Sequence, residues 1–502
     1  MKQNPLLMTD GYKTSHHKMY PEGTKLVYSN FTPRNVKYMP DLAKDIVVFG
    51  IQYTLKYIHD LYNENFFNVP KDEVVGEAKS YLSSYLCTDY DVSHFEALHD
   101  LGYLPIKVKA LREGSIVGEK IPVMTIYNTH PDFYWLPNFL ETLISSLLWK
   151  PMHSASIANG YKKLLVKHAN ETDKENIPFV DFQGHDFSFR GMQHPESAIS
   201  SGMGFLTSFS GTDTIPALKA AKYYYSGESV GFSVPSSEHA VVTSYGKEDE
   251  IESFRRIMKQ FPSGIVSMVS DSFDLWQVCT KFVTELKDQI LARDGKLVIR
   301  PDSGDPVDIL CGKPYNGLPG ISNNEHKGVI ELLWNVFGGT INEQGYKILD
   351  SHIGAIYGDS ITLERADEIC KRLKAKGFAS TNVVLGVGSY SMGYATRDNQ
   401  GGAVKATYVE LDEEFFASQE SLEPGIRTIG REIFKDPVTD DGTKKSATGL
   451  LHVAKNPSGE YFLIDKVDWG VEGVGELKNI YVDGEFFNQT SLEDIRTKLR
   501  NS

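Results

Sequence analysis

Residues 297–306 read LVIRPDSGDP: an apolar run, Leu297-Val298-Ile299, stops abruptly in Arg300, Pro301, Asp302, Ser303, Gly304 and Asp305. A β-branched run that ends in turn-forming and charged residues reads as a buried strand whose end meets solvent or presents polar groups to a ligand. The same pattern returns at IPFVDFQGHDFSFRG from Ile177, VGFSVPSSEHA from Val230, IVSMVSDSFD from Ile265, HIGAIYGDS from His352 and NVVLGVGSYS from Asn382. Segments with helical spacing lie between them: KEDEIESFRRIMKQF from Lys247, FDLWQVCTKFVTELKDQIL from Phe273 and TLERADEICKRLKAKG from Thr362. Such alternation predicts parallel strands with crossover helices, in an open doubly wound sheet or a (β/α) barrel. Either architecture binds ligands at the carboxyl ends of the strands, which places Arg300 and Asp302 on a functional rim.

Outside residues 151–399 the pattern changes. KLVYSNF near the start, and AVKATYVELDEEFF, GEYFLIDKV and NIYVDGEFF near the end, read as antiparallel strands with turns. The expected organisation is α/β: an irregular (β/α) barrel over 151–399 and an α+β domain built from both chain termini, 1–150 with 400–502. The polar stretches 312–328 and 417–449 are expected to be long surface loops.

A chain of 502 residues exceeds the usual span of one core, so two units are expected. A net charge of −14 argues against a broad nucleic-acid or anionic-membrane footprint. An anionic small ligand would need locally gathered Arg and Lys. Cys87, Cys279, Cys311 and Cys370 form no CxxC pair, so a reducing cytoplasm is expected rather than a disulfide framework or zinc cluster. MKQNPLLMTDGYK lacks the continuous apolar core of an export signal, and no stretch is long and apolar enough to suggest a membrane span.

Two carboxylate and arginine sets stand out: Asp186 with Arg190 around Phe187, and Arg300 with Asp302. Arginine forks suit phosphate, and carboxylates suit sugar hydroxyls or magnesium, so together they fit a phosphorylated sugar as well as they fit structural ion pairs. In GVGSYSMG, 386–393, backbone amides can approach an anion closely, with Arg397 and Lys405 following; a tight turn explains the glycines almost equally. SVPSSEH, 233–239, sets His239 beside Glu238, where a carboxylate-oriented histidine would act as base, nucleophile or phosphoryl acceptor. Asp213 in GTDT is a ligand group or a helix cap. GxxxxGK[ST] and HExxH are absent, and no Schiff-base lysine stands at a strand end.

Taken in order, LLMTDGYKTSHHKMYPEGT, HDFSFRG, GTDT, SVPSSEH, VSDSFD, IRPDSG, YGDS, TRD and FKDPV make the whole chain resemble the nicotinamide phosphoribosyltransferase family. The resemblance implies the type II phosphoribosyltransferase fold and a homodimer with shared active sites. It implies conversion of nicotinamide and phosphoribosyl diphosphate, with Mg2+, into nicotinamide mononucleotide and diphosphate for NAD salvage, with ATP as a facultative co-substrate acting through phosphorylated His239. By the same resemblance Phe187 and a partner-derived Tyr12 sandwich the pyridine ring, Asp213 accepts the carboxamide N–H, and Arg300 holds the amide or ribose side. Asp302, Asp271, Gly358 and Asp359 become ribose and magnesium-side groups. Arg190, Gly388, Ser389, Arg397 and Lys405 become the phosphate and diphosphate cradle, and Arg34 and Asp10 complete the site across the dimer. Ser389 stands where the family commonly has Gly, Ala403 where it commonly has Ser, and 311–328 resembles an insertion. The runner-up is a nicotinate phosphoribosyltransferase, which Asp213 disfavours because two carboxylates would face each other. A non-catalytic ligand-binding or signalling role is the alternative of another class.

Overall fold

The computed structural model describes residues 3–227, 230–314, 322–412, 428–439 and 445–502. Its central feature is a six-stranded parallel sheet. The strands are β1 (Gly184–Asp186), β2 (Gly211–Thr212), β3 (Ser263–Val269), β4 (Asp294–Arg300), β5 (Ile353–Tyr357) and β6 (Val383–Val387), in spatial order β2-β1-β6-β5-β4-β3. β5 is buried along its whole length and β6 nearly so, as expected of strands covered on both faces. The sheet curls until its edges are bridged by 232–237: Phe232 pairs with Gly211 at the β2 edge and Ser236 with Ser267 at the β3 edge. The alternation read from the sequence is thus an irregular, curled barrel sheet.

Two of the expected strands differ. Ile177–Gln183 forms a 3-10 turn and a helical turn, so only Gly184–Asp186 of that stretch joins the sheet. The Val230 stretch makes isolated bridges rather than a strand, because Pro235 has no N–H to offer a ladder. The helix expected from Phe273 is broken into short pieces around a wider π turn at Val278–Phe282.

A second, seven-stranded sheet draws strands from both ends of the chain. Its spatial order is 428–432, 403–412, 24–32, 124–128, 106–110, 478–482 and 485–486, paired antiparallel throughout. Helix α1, Glu141–Thr172, joins the two sheets' cores. Leu143, Ile144, Leu148 and Met152 pack beneath the antiparallel sheet, whereas Ile157, Tyr161, Leu165 and Ala169 pack into the barrel core. The chain therefore passes residue 150 inside one continuous helix, about 48 Å long at 1.5 Å per residue.

Both expected long loops are shorter. Residues 315–321 lie outside the described residues, and from Ser322 a capping box with Glu325 starts the helix Asn323–Phe337. Of 417–449, residues up to 427 and 440–444 lie outside the described residues, and Thr428–Glu432 is a strand paired with 408–412. Among the described residues no helix is long and apolar enough to cross a membrane, and all four cysteines are free thiols.

Candidate active site

A cavity of about 570 Å³ occupies the barrel interior. At the carboxyl ends of the strands it is lined by His185, Phe187, Asp213, Phe232 and Ser233, and at their amino ends by groups that include Lys296. Side chains alternate along β1, so His185 and Phe187 face the cavity while Asp186 turns away. Asp186 is fully buried and accepts hydrogen bonds from the Ser188 backbone N–H (2.9 Å) and hydroxyl (2.7 Å). It therefore holds the turn after β1 and makes no phosphate-binding pair with Arg190.

Asp213 is not a helix cap; Thr214 precedes the helix Ile215–Tyr225. Its Oδ1 instead meets His185 Nε2 at 2.9 Å and accepts from the Ser233 hydroxyl. Burial pushes this carboxyl up, but the bonds from His185 and Ser233 and the charge of Arg300 outweigh it and hold it below the ordinary range. The other oxygen is left to take a donor from the cavity. Phe187 has room because residue 386 on β6 is glycine: a Cβ there would lie 2.4 Å from the Phe187 ring.

A second group gathers at the ends of β3 and β4. His239 Nδ1 lies 3.0 Å from the Ser272 hydroxyl and Nε2 lies 3.1 Å from Asp302 Oδ1. Asp271 Oδ2 accepts from the backbone N–H groups of Asp302 (3.0 Å) and Ser303 (2.8 Å) and from the Ser303 hydroxyl. Its Oδ1 is buried and has no hydrogen-bond partner, 3.9 Å from His239 Nε2. Ligand atoms of His239, Asp271 and Asp302 all lie within 4.8 Å of one another. An orphaned buried carboxylate oxygen beside a second carboxylate fits a hard cation such as magnesium, with Asp271 and Asp302 as its oxygen donors and His239 less suited. Glu238 is exposed and makes no bond to His239; the carboxylate that orients the imidazole is Asp302.

Arg300 links the groups. Its guanidinium donates to the Ser237 carbonyl, and burial lowers its pKa against the raising influence of Asp302, Asp213 and Asp271. Gly358, after β5, donates its N–H to the Pro301 carbonyl at 3.1 Å, and a Cβ on it would press on Asp302 at 3.2 Å. Asp359 is exposed on the same turn, 3.1 Å from the Ser360 hydroxyl. Gly388 and Ser389 begin a helical turn after β6, beside the Arg190 turn: a Cβ on Gly191 would lie 2.1 Å from Ser389 Oγ.

The remaining expected residues sit on the antiparallel sheet and its flank. Lys405 lies 3.8 Å from Glu141 at the start of α1, and Lys13 lies 2.6 Å from the same carboxylate. Burial lowers the Lys405 pKa; Glu141 opposes this while Arg34, Lys13 and Arg397 add to it. Arg34 Nε donates to the Gly401 carbonyl at 2.8 Å, and Arg397 is exposed, 3.6 Å from Asp398. Tyr12 is 65% exposed on the 3-10 turn Gly11–Lys18, and the Asp10 carboxylate accepts from Thr142 at 2.7 Å. Among the described residues no hydrogen bond or ion pair joins Tyr12, Asp10, Arg34, Arg397 or Lys405 to the Asp213 or His239 groups.

Sequence reasoning missed His185, Ser233, Ser272, Ser303, Lys13 and Glu141. Strand alternation from Phe187 was a signal for His185; the serines and the Lys13–Glu141 pair had none, since long-range packing alone brings them in.

Residues 182–462 match the nicotinate phosphoribosyltransferase (NAPRTase) family, and residues 4–108 match the nicotinamide phosphoribosyltransferase N-terminal domain. The chain is 45% identical to a nicotinamide phosphoribosyltransferase of Acinetobacter baylyi, over 99% of this chain and 97% of the relative. It is 34% identical to one of Mycoplasma pneumoniae, over 88% and 94%, and 30% identical to one of Xanthomonas campestris, over 98% and 97%. Among solved structures it is similar in fold to a nicotinate-nucleotide pyrophosphorylase from Pyrococcus furiosus (TM-score 0.56, 15% identity, 99% and 95% covered). It is similarly close to human nicotinic acid phosphoribosyltransferase (TM-score 0.53, 15% identity, 99% and 93% covered).

Proposed function

The chain belongs to the nicotinate phosphoribosyltransferase family, and on that premise we propose that it is a nicotinamide phosphoribosyltransferase that makes nicotinamide mononucleotide and diphosphate from nicotinamide and phosphoribosyl diphosphate, in NAD salvage. The observation that carries this reading is Asp213: a carboxylate held ionised by His185 and Ser233 in the barrel cavity that Phe187 also lines, with its other oxygen left for a ligand. A primary carboxamide donates to that oxygen, whereas nicotinate sets a second negative charge against it, typically at a cost of several kcal/mol.

The reaction needs no strong base, because the pyridine nitrogen is the nucleophile. Phe187 stacks on one face of the ring, and Tyr12 of the partner subunit covers the other. With the amide fixed by Asp213, the ring nitrogen is aimed at ribose C1 and the reaction gains from orientation. Gly358, Asp359 and Asp302 hold the ribose side. Arg190, Gly388 and Ser389 hold the 5′-phosphate, and Lys405, Arg397 and Arg34 of the partner subunit stabilise the leaving diphosphate. Asp271 and Asp302 would hold Mg2+, which when bound neutralises diphosphate charge.

That no hydrogen bond or ion pair among the described residues joins these two groups within one chain supports a homodimer in which each copy completes the other's site, with Asp10 of the partner subunit beside its Tyr12. His239, between Ser272 and Asp302, is placed to accept a phosphoryl group from ATP, releasing ADP and coupling ATP hydrolysis to synthesis; ATP would occupy the phosphoribosyl diphosphate site. The free thiols fit a reducing cytoplasm.

The test is product formation from phosphoribosyl diphosphate and Mg2+ with nicotinamide or nicotinate, each with and without ATP. Preference for nicotinamide upholds the role of Asp213, and an ATP-dependent gain lost in His239→Ala upholds the coupling. Preference for nicotinate, or simultaneous binding of ATP and phosphoribosyl diphosphate, overturns the respective assignment.

A further inference from the structure

Helix α1 carries an ionisable group that the mechanism above does not use. Lys150 is 3% exposed, and its ammonium donates to the carbonyl of Met392, the last residue of the helical turn Ser389–Met392. Among the described residues no carboxylate pairs with it. Its near neighbours are the Trp149 ring, 5.6 Å away, and His153 one turn on, itself buried and kept neutral by burial and by Lys150. A buried cation without a counter-ion is costly, so a negative charge arriving nearby would be favoured by it.

That charge has a natural place. The turn that Lys150 holds begins at Gly388 and Ser389, packed on Gly191 beside Arg190, where the phosphate of the sugar donor is assigned above. The same turn is braced one residue earlier, where the Ser391 hydroxyl lies 2.8 Å from the Tyr161 hydroxyl, also on α1. The two α1 side chains do different work: Tyr161 brings only hydrogen bonding, and Lys150 adds charge.

We propose that Lys150 is a positioning residue for the phosphoribosyl group: it fixes the 388–393 segment through the Met392 carbonyl and places an unpaired positive charge beneath it, so that the segment closes on a phosphate dianion. This rests on the phosphoribosyl-transfer reading, and it extends that reading to a residue that touches neither substrate.

The burial that leaves this ammonium unpaired also lowers its pKa to about 8, with no compensating carboxylate. Phosphate affinity should therefore weaken as pH rises past 8; the other titratable groups about this turn are His153, kept neutral, Tyr161, whose pKa burial raises, and Arg190, so none of them changes charge there, and affinity should recover as bound phosphate pulls the lysine pKa back up.

The experiment compares wild type, Lys150→Met (charge and donor lost) and Lys150→Gln (donor kept, charge lost). It reads kcat, the KM of each substrate, and calorimetric binding of ribose 5-phosphate, which needs no turnover. The expected result is a rise of about tenfold or more in the phosphoribosyl diphosphate KM and the ribose 5-phosphate Kd for both variants, with the nicotinamide KM within twofold of wild type. Loss of the wild-type weakening of ribose 5-phosphate above pH 8 should accompany it. Equal changes in both substrates' KM, or unchanged phosphate binding in folded Lys150→Gln, overturn the proposal. An inactive wild type that still binds ribose 5-phosphate through Lys150 would fault the reaction assigned above and leave this inference standing.

Discussion

The two groups of candidate site residues in this chain are opposites in electrostatic construction. At the barrel mouth each carboxylate is fixed through one oxygen by its own partners, Asp213 by His185 and Ser233, Asp271 by the 302–303 turn and Asp302 by His239, while the other oxygens of Asp213 and Asp271 are left open. On the antiparallel sheet and its flank Lys13 and Lys405 share one carboxylate, Glu141, and the charges of Arg34, Lys13 and Arg397 lower the Lys405 pKa on top of its burial. A preorganised acceptor orients a neutral planar substrate, whereas crowded cations are satisfied only by a polyanion. One region is built for direction and the other for charge.

The largest effect should come from breaking the barrel half. Asp213→Asn removes a charged acceptor worth about 1.5–3 kcal/mol, so kcat/KM for nicotinamide should fall about 10- to 150-fold while nicotinate gains relative to it. An unchanged nicotinamide to nicotinate ratio would show that Asp213 does not select the ring. If the halves meet across a dimer, inactive Asp213→Asn and Tyr12→Ala chains mixed together should regain about a quarter of wild-type activity, since half the random dimers hold one intact site. No recovery on mixing would place both residues in one site of one chain.

Next in size, Lys405→Ala should raise the phosphoribosyl diphosphate KM about tenfold with the nicotinamide KM unchanged, and more steeply at low salt than at high. A parallel rise in both would erase the division of labour. Gly386→Ala should do the reverse, since its Cβ would meet the Phe187 ring at 2.4 Å. The nicotinamide KM should rise several-fold at a stability cost of about 1–3 kcal/mol, read by denaturant unfolding.

The smallest effect is in pH. Behind Asp271, burial and the charges of Asp274 and Asp271 push the Glu250 carboxyl up to about 7. The native state then binds more protons than the unfolded chain between the ordinary glutamate value and about 7, so stability falls as pH rises through that window. Glu250→Gln should remove this loss, raising Tm by about 2 °C at pH 8 and leaving it unchanged at pH 4. On the cation side the trend runs the same way: diphosphate binding should weaken as pH rises and Lys405 deprotonates, at a pH below the ordinary lysine value.

Much of this was readable along the chain because it is local. The runs ending at Arg300, Tyr357 and Val387 are strands with polar ends, and HDFSFRG, GTDT and IRPDSG mark where Phe187, Asp213 and Asp302 lie. The errors were also local readings, overruled by partners distant in sequence. Glu238 is adjacent to His239, yet Asp302, 63 positions away, orients the imidazole. Asp186 and Arg190 are four apart, yet Asp186 is sealed against Ser188 and Thr212. IPFV is apolar enough for a strand but forms helical turns, and Pro235 reduces an apparent strand to bridges.

What the amino-acid order specified is the alternation of apolar runs and amphipathic helices, and with it a parallel barrel sheet whose strand ends carry the polar clusters, since period and turn chemistry are properties of neighbours. Folding in three dimensions alone settled which oxygen of Asp213 stays free, which oxygen of Asp271 is orphaned, and that Lys150, with no charged partner among the described residues, lies under the 388–393 turn. Hydrogen-bond satisfaction and burial depend on residues that meet only when helices and sheets pack, and sequence spacing carries no record of those meetings.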